Sequence, residues 1–295
     1  MAVAYPEQPA LRREGAAQRA ARAVTRGPVT LFLVVVGLFW LLPTFGLLVS
    51  SFRTAADNGD SGWWRAFAEP AQLTLEPYLK ILDNPAIVGS LLNTVVITVP
   101  SALLVTFIAS LAAYAFAWGR FRGRNALFLV VVALLVVPLQ VALIPIAQLF
   151  GLLGLFRTLP GVILFHVAFG LPFAIFLMRN FFIGLPKELL EAARVDGASE
   201  ATVFFRVALP LGLPAIASLG IFQFLWVWND LLVGLVFAGT STKPLTVTIL
   251  QQTRQFGSSI DVIAPGAFLS MIVPLVVFFA FQRYFVQGLL AGSVK

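Results

Sequence analysis

The stretch EAARVDGASEATVFFRVALP, Glu191–Pro210, sets three carboxylates, two arginines and a glycine between two runs of almost unbroken hydrocarbon side chains. Just upstream, Pro186 stands at a first-turn position, where its missing N–H costs nothing, and the Lys, Glu, Leu and Ala that follow favour helix. Gly197 is placed to cap the helix after its last turn. At a period of 3.6, Leu185, Leu189, Ala192 and Ala193 share one face while Lys187, Glu191 and Arg194 share another. Ser199 is then placed to cap a second helix through Val207, which Pro210 ends or bends as the next apolar run begins. A helix this short does not hold in water alone. It needs a surface to lean on, either the protein's own helix ends or a docking partner, and the physics leaves both open.

The chain around this segment is built for lipid. Of 295 residues 59% are apolar and only 11% charged, with a mean hydropathy of +0.93, against roughly 45–50% and about 25% in soluble domains. No cysteine is present, so no disulfide framework or thiolate metal site exists. Stretches near the roughly 20 residues needed to cross a bilayer number six: Val29–Ser50, Val88–Trp118, Ala126–Phe150, Leu159–Phe182, Leu211–Phe237 and Ala264–Phe285. The expected fold is all-α and polytopic. The first apolar run outlasts the roughly 7–15 residues of a signal-peptide core and no A-x-A-like site follows it, so it reads as an uncleaved helix.

Lysine and arginine orient the set. Fourteen of the twenty fall in the N-terminal tail, the second and fourth connections and the C-terminal end; the other three connections hold six. Because positive residues stay on the cytoplasmic side, both termini and Glu191–Pro210 are expected there. The tail, residues 1–27, has no apolar periodicity and reads as a solvated segment that fixes orientation. On the outer side, Ser51–Ile87 carries Trp63, Trp64, Phe67 and Tyr78, aromatic residues of the kind that lie at a lipid interface or meet an outside partner.

Inside the spans, Pro100, Pro138, Pro145 and Pro172 interrupt the helices, and each is expected to kink its own. Charge is nearly absent. Asp230 lies toward the outer end of the fifth span; elsewhere the polar groups are neutral, among them Asn93, Gln140, Gln148, Gln223, Asn229 and His166. A proton- or sodium-driven carrier keeps carboxylates at mid-membrane, and their lack here points to energy supplied from elsewhere. His166, with no acid in its own span, reads as a hydrogen-bonding group across a helix interface rather than a relay or metal ligand. All four lysines lack the Gly-Lys-Ser/Thr context of a phosphate loop, so ATP hydrolysis by that motif must reside on another polypeptide. No grouping of His, Ser and carboxylate supports an enzyme.

Glu191-Ala192-Ala193, then Gly197, then Val207, Leu209 and Pro210 keep the spacing E-A-A, three residues, G, nine residues, I, one residue, L-P, with valine replacing only the isoleucine. In this the chain resembles the EAA loop of permease subunits of binding-protein-dependent ABC importers. FLWVWND (Phe224–Asp230), KPLTVTILQQ (Lys243–Gln252) and FQRYFVQGLLAGSVK (Phe281–Lys295) are similar to the carbohydrate permeases related to the smaller membrane subunit of the maltose transporter. The resemblance covers about residues 28–295, a six-helix permease domain of the type I importer fold with a coupling loop at 183–210; the tail falls outside it.

The resemblance implies partners: a second, similar permease, two ATPase subunits that bind ATP and Mg, an extracytoplasmic sugar-binding protein and the lipid bilayer, with no nucleic acid and no cofactor on this chain. It assigns ATPase coupling to Leu189, Glu191, Ala192, Ala193, Asp196, Gly197, Leu209 and Pro210. It also implies that the outer connection around Thr240–Ile260 reaches into the binding protein and that the C-terminal tail approaches the ATPases. Uncharged spans carrying amides and aromatics suit a neutral polyhydroxy solute, so an oligosaccharide or α-glucoside is expected, with glycerol phosphate or another non-sugar solute as the alternative. Gln140, Gln223, Trp228 and Asn229 are candidates for the solute pathway, or else interhelical hydrogen bonders and interface anchors.

Overall fold

The computed structural model describes residues 16–255 and 260–291, with side chains described at 27–252 and 260–282. Helix α1 (Ala16–Ser51) leads into a small module of α2 (Ala55–Asp60), two short 3-10 turns and α3 (Glu76–Leu82). Then come α4 (Pro85–Trp118), α5 (Arg124–Leu134), α6 (Leu139–Leu152), α7 (Leu159–Ile183) and α8 (Lys187–Val195). A short α9 (Glu200–Val203), α10 (Leu209–Trp228), α11 (Leu232–Phe237), α12 (Leu245–Gln255) and α13 (Ile260–Ala291) complete the chain, and no strand occurs among the described residues.

Five segments are long and apolar enough to cross a bilayer: Gly27–Ser51, Pro85–Trp118, Leu159–Ile183, Glu200–Trp228 and Ile260–Gln282. The expected third span is not one helix, because α5 and α6 meet at 102°. Pro138 sits at that break as the residue before α6, where a proline disfavours helix in the residue preceding it. Elsewhere the chain stays helical through Pro100, Pro145 and Pro172. The fifth span is also displaced. It begins at Glu200 and ends at Trp228, where Asn229–Leu231 break the helix before α11, instead of running from Leu211 to Phe237. The helical part of the tail starts at Ala16, inside the segment expected to be solvated, since its alanines and arginines are strong helix formers. Residues 1–15, with Arg12 and Arg13, and the last residues of the C-terminal tail, 292–295, lie outside the described residues.

The core is the pairing of α4 with α7, flanked by α10, which packs in turn on α13. Val105, Ala109 and Ala113 line α4 at every fourth residue and are fully buried against Ala174 and Met178 of α7 and Leu219 of α10. Small side chains let membrane helices approach, because lipid gives no hydrophobic reward for burial. A Cβ on Gly170 would lie 3.0 Å from both Val105 and the Gln223 amide oxygen, so glycine is what permits this three-helix crossing. Helix α1 is almost bare from Gly27 to Phe45 and is packed against the protein at its end, where Gly46, Ser50 and Ser51 are buried.

Helix ends sort into two faces. At one, Trp118 donates to the Phe182 carbonyl (2.9 Å) and Tyr114 to Glu200 (2.9 Å), bringing together the C-termini of α4 and α7 and the start of α9. At the other, Asn93 donates to the carbonyls of Ser241 (2.9 Å) and Lys243 (3.1 Å), and Gly239 packs against Arg157. The α5–α6 pair therefore carries the chain from the first face to the second and serves as a broken span, giving six crossings. In the outer module Arg53, fully buried, donates to Gln72, Asn58, Ser61 and the Asp57 carbonyl at 2.7–3.4 Å. Phe45 of α1 stacks on Phe67 and meets Trp63 edge-on, anchoring the module to α1.

Candidate coupling loop and outer polar site

Helix α8 is amphipathic as the sequence predicts, and its anchor on the protein is a residue outside the Leu185, Leu189, Ala192 and Ala193 face. Leu190 is its one buried residue, 0% exposed, and sits in the apolar cluster that includes Tyr114, Phe182, Val203 and Phe204, with Leu185 and Ala193 partly buried beside it. Leu189 is 47% exposed and Ala192 is exposed as well, so of the four residues sharing that face two point outward, where the resemblance assigns them to coupling, and two lean on the protein. Leu189 and Leu190 are both apolar, and a helix of about two and a half turns does not by its sequence say which of them is the anchor. The outward face also holds Glu191, whose carboxylate meets Lys187 at 2.8 Å. That hydrogen bond holds Glu191 below the usual carboxylate range. Val195 is 87% exposed. No sequence assignment included it, although an apolar residue four places after Glu191 is a readable signal.

The helix ends in a Schellman motif: Ala198 N–H donates to the Ala193 carbonyl and Gly197 N–H to that of Arg194, both at 3.0 Å. Gly197 has φ +82°, the left-handed region the motif requires. Ser199 caps α9 by accepting from Thr202 N–H at 3.2 Å. Beyond it the chain does not bend at Pro210. A π-helical turn, Phe204–Ala208, joins α9 to α10, closed by Leu209 N–H on the Phe204 carbonyl. A proline clashes with the carbonyl four residues before it and cannot bond it, so the widened turn absorbs Pro210 while the helix continues. Leu209 is half-buried on the core cluster and Pro210 is exposed. Arg194 grips Glu200 through two nitrogens, at 2.7 and 3.2 Å, which raises its pKa, the Glu200 hydrogen bond being the main cause. Because Tyr114 donates to the same carboxylate, α8, α9 and α4 are joined at one point.

At the opposite face a second polar site forms. Asp230 accepts from the N–H groups of Val233 (3.4 Å) and Gly234 (3.1 Å), capping α11, and its carboxylate lies 3.8 Å from His166 Nε2. His166 thus has an acidic neighbour across a helix interface, one its own span does not contain. Thr94, Thr98, His166 and Asp230 line an enclosed cavity of about 10 Å³, close to the volume one water needs. Thr98 Oγ1 and His166 Nδ1 are buried without a protein partner. The start of α12 is tied to α4: Leu245 N–H donates to Thr94 (2.8 Å), and Ser90 and Thr248 share a hydrogen bond of 2.5 Å. Thr246 donates to the Asp230 carbonyl at 2.7 Å.

The four pathway candidates do not share a pocket. Gln223 is buried in the α4–α7–α10 crossing with its Oε1 unpartnered. Trp228, also buried, donates its indole N–H to the Ser270 carbonyl (2.8 Å) and stacks on Phe224. Gln140 and Asn229 are exposed, the latter donating to the Leu225 carbonyl. No group of three or more His, Cys, Asp or Glu able to hold a metal ion occurs among the described residues.

Six crossings with a structured loop at one face and a capped polar site at the other define a multi-pass α-helical membrane protein. The chain belongs to the family described as binding-protein-dependent transport system inner membrane component, which matches residues 105–290. It is 47% identical over 273 residues to the osmoprotective compounds uptake permease protein GgtD of Synechocystis sp., covering 91% of this chain and 92% of that one. It is 46% identical over 255 residues to the alpha-glucoside transport system permease protein AglG of Rhizobium meliloti, covering 84% and 67%. In fold it is similar to a chain of a bacterial ABC transporter that imports alginate, with a TM-score of 0.78 at 22% identity over 92% of this chain and 99% of that one. The chain is therefore a permease subunit of an ABC importer in the inner membrane, a transport component that is not itself catalytic.

Proposed function

We propose that this permease serves an ATP-driven importer of a sugar, an oligosaccharide or α-glucoside, and converts closure of two partner ATPases into alternating access. A second similar permease and an extracytoplasmic sugar-binding protein complete the assembly, ATP and Mg are bound on the ATPases, and residues 28–295 form the permease domain. The face carrying α8 is cytoplasmic, and both termini lie on that side; the excess of arginine and lysine there supports this. The sugar class is supported by identity of nearly half to relatives named for alpha-glucosides and for osmoprotective compounds.

One observation carries the coupling role: a nine-residue helix pinned by Leu190 turns Leu189, Glu191, Ala192 and Val195 to solvent and continues through a rigid turn into a span. Ala193, Asp196 and Gly197 complete the turn, and Leu209 and Pro210 the joint. In this reading Glu191 meets a basic group in a groove of the ATPase. Gln140 and Asn229 are free to meet solute, whereas Gln223 and Trp228 serve packing. The chain has no cysteine, so Ala192→Cys supplies a unique thiol; cross-linking in the native assembly is expected to capture an ATPase subunit, and its failure to do so refutes the docking assignment.

A further inference from the structure

The connection from α4 to α5, Gly119–Gly123, concentrates positive charge without answering it. Arg120 and Arg122 are exposed, and neither has a carboxylate within ion-pair distance among the described residues. Arg120 does act on Glu191 from a distance, but that carboxylate is already paired with Lys187. Two further guanidiniums hold the loop in place: Arg124 donates to the Gly119 carbonyl at 2.9 Å and Arg179 lies over the Phe128 ring at 4.0 Å. Residues 119–126 line an open groove of about 560 Å³.

What continues from the groove is hydrocarbon. Leu127, Val130 and Leu134 recur along one stripe of α5 and are each at least half exposed. The eleven residues of α5 span about 16 Å at 1.5 Å each, close to half of the roughly 30 Å hydrocarbon core. At that depth the chain turns away by 102° into α6. Charge at one end and a bare apolar strip one leaflet long are the two halves of a lipid's complement.

We propose that the Gly119–Asn125 groove with the outer stripe of α5 binds one anionic phospholipid, its phosphate against Arg120 and Arg122 and its acyl chains along α5. Charge complementarity selects an anionic head over a zwitterionic one, with each arginine near a membrane surface contributing roughly fivefold in affinity. The strip beyond the charges separates a lipid from free phosphate, which would use the head site alone.

The test uses the native transporter assembly in nanodiscs of phosphatidylcholine containing phosphatidylglycerol, with retained lipid counted by native mass spectrometry. Wild type is expected to keep one phosphatidylglycerol per copy of this chain even in excess inorganic phosphate. Arg120→Gln with Arg122→Gln, two side chains that hold nothing in the fold, is expected to weaken retention about 30-fold. Arg206→Gln, an exposed arginine on the same face, is expected to leave it unchanged. Equal retention in the double variant and wild type, or equal retention of phosphatidylcholine, overturns the proposal. Displacement of the lipid by phosphate also overturns it, revealing a bare anion site. Both leaflets carry the same lipid, so the outcome does not depend on the chain's orientation or on the solute imported.

Discussion

Leu190→Ala isolates the attachment of α8 from everything it might touch. Leu190 is fully buried and is the only buried residue of that helix. Removing its three terminal carbons forfeits about 0.8 kcal/mol each, and an unfilled cavity in a cluster held by Tyr114, Phe182 and Phe204 brings the cost to about 3 kcal/mol. A nine-residue helix has little stability of its own to set against this. The loss should therefore appear as local opening, with the open population rising about 150-fold. Hydrogen exchange of the purified assembly reads this directly: amides of α8 are expected to exchange about two orders of magnitude faster while those of α4 and α7 keep their rates. Uptake should fall with membrane abundance unchanged, and Leu190→Met, which conserves volume, should cost under about 1.5 kcal/mol. Leu189→Ala is the contrasting variant, silent in exchange but weaker in ATPase co-purification. If α8 exchange rose less than threefold in Leu190→Ala, or if α4 and α7 accelerated equally, the single-anchor argument would fail.

Other expectations follow from the same geometry. Gly197→Val forces a β-branched residue to φ +82° and should cost about 2 kcal/mol and abolish uptake, whereas Gly197→Asn should retain most of it; open space around the Cβ position makes this a test of backbone strain rather than of collision. Glu191→Lys should leave α8 exchange near wild type yet release the ATPases, scored by co-purification. Arg194→Gln and Tyr114→Phe share the Glu200 carboxylate, so a double-mutant cycle in thermal stability should show a coupling of at least about 0.5 kcal/mol, and strict additivity would contradict the network. Arg53→Ala removes five hydrogen bonds and should destabilise the outer module by more than about 3 kcal/mol, seen as new proteolytic cleavage within residues 55–82.

Apolar run length made the membrane class and most of the spans legible, because a bilayer imposes a length that single residues cannot disguise. The helix at Lys187–Val195, its glycine cap and the Ser199 cap were equally legible, each being a local device with a fixed residue preference. What escaped was set by tertiary context. Pro138 and Pro210 carry the same backbone defect, yet one marks a 102° break and the other is absorbed by a π-turn, a choice made by neighbouring packing. Leu190 rather than Leu189 became the anchor for the same reason. His166 found its carboxylate on another helix, where a scan of its own span cannot look, and Arg53 read as one outer charge among several although it organises the whole module.

The path from α8 to the outer face contains few places where motion can be lost. Glu200–Trp228 is one helical run of 29 residues, about 43 Å long at 1.5 Å per residue, with the π-turn at Phe204–Ala208 and Pro214 within α10 as its bending points. At its near end Arg194 and Tyr114 clamp Glu200; at its far end Asp230 caps α11 and receives Thr246 of α12 on its carbonyl, while Leu245 and Thr248 bind α12 to α4. In the proposed coupling, a displacement of α8 would reach the opposite face along this continuous helix rather than through a relay of side chains. The sharpest breaks in the chain are the α5–α6 bend and Asn229–Leu231, where the run ends, and a transition that reverses the protein's accessibility should concentrate its backbone rotations there and at the π-turn and Pro214.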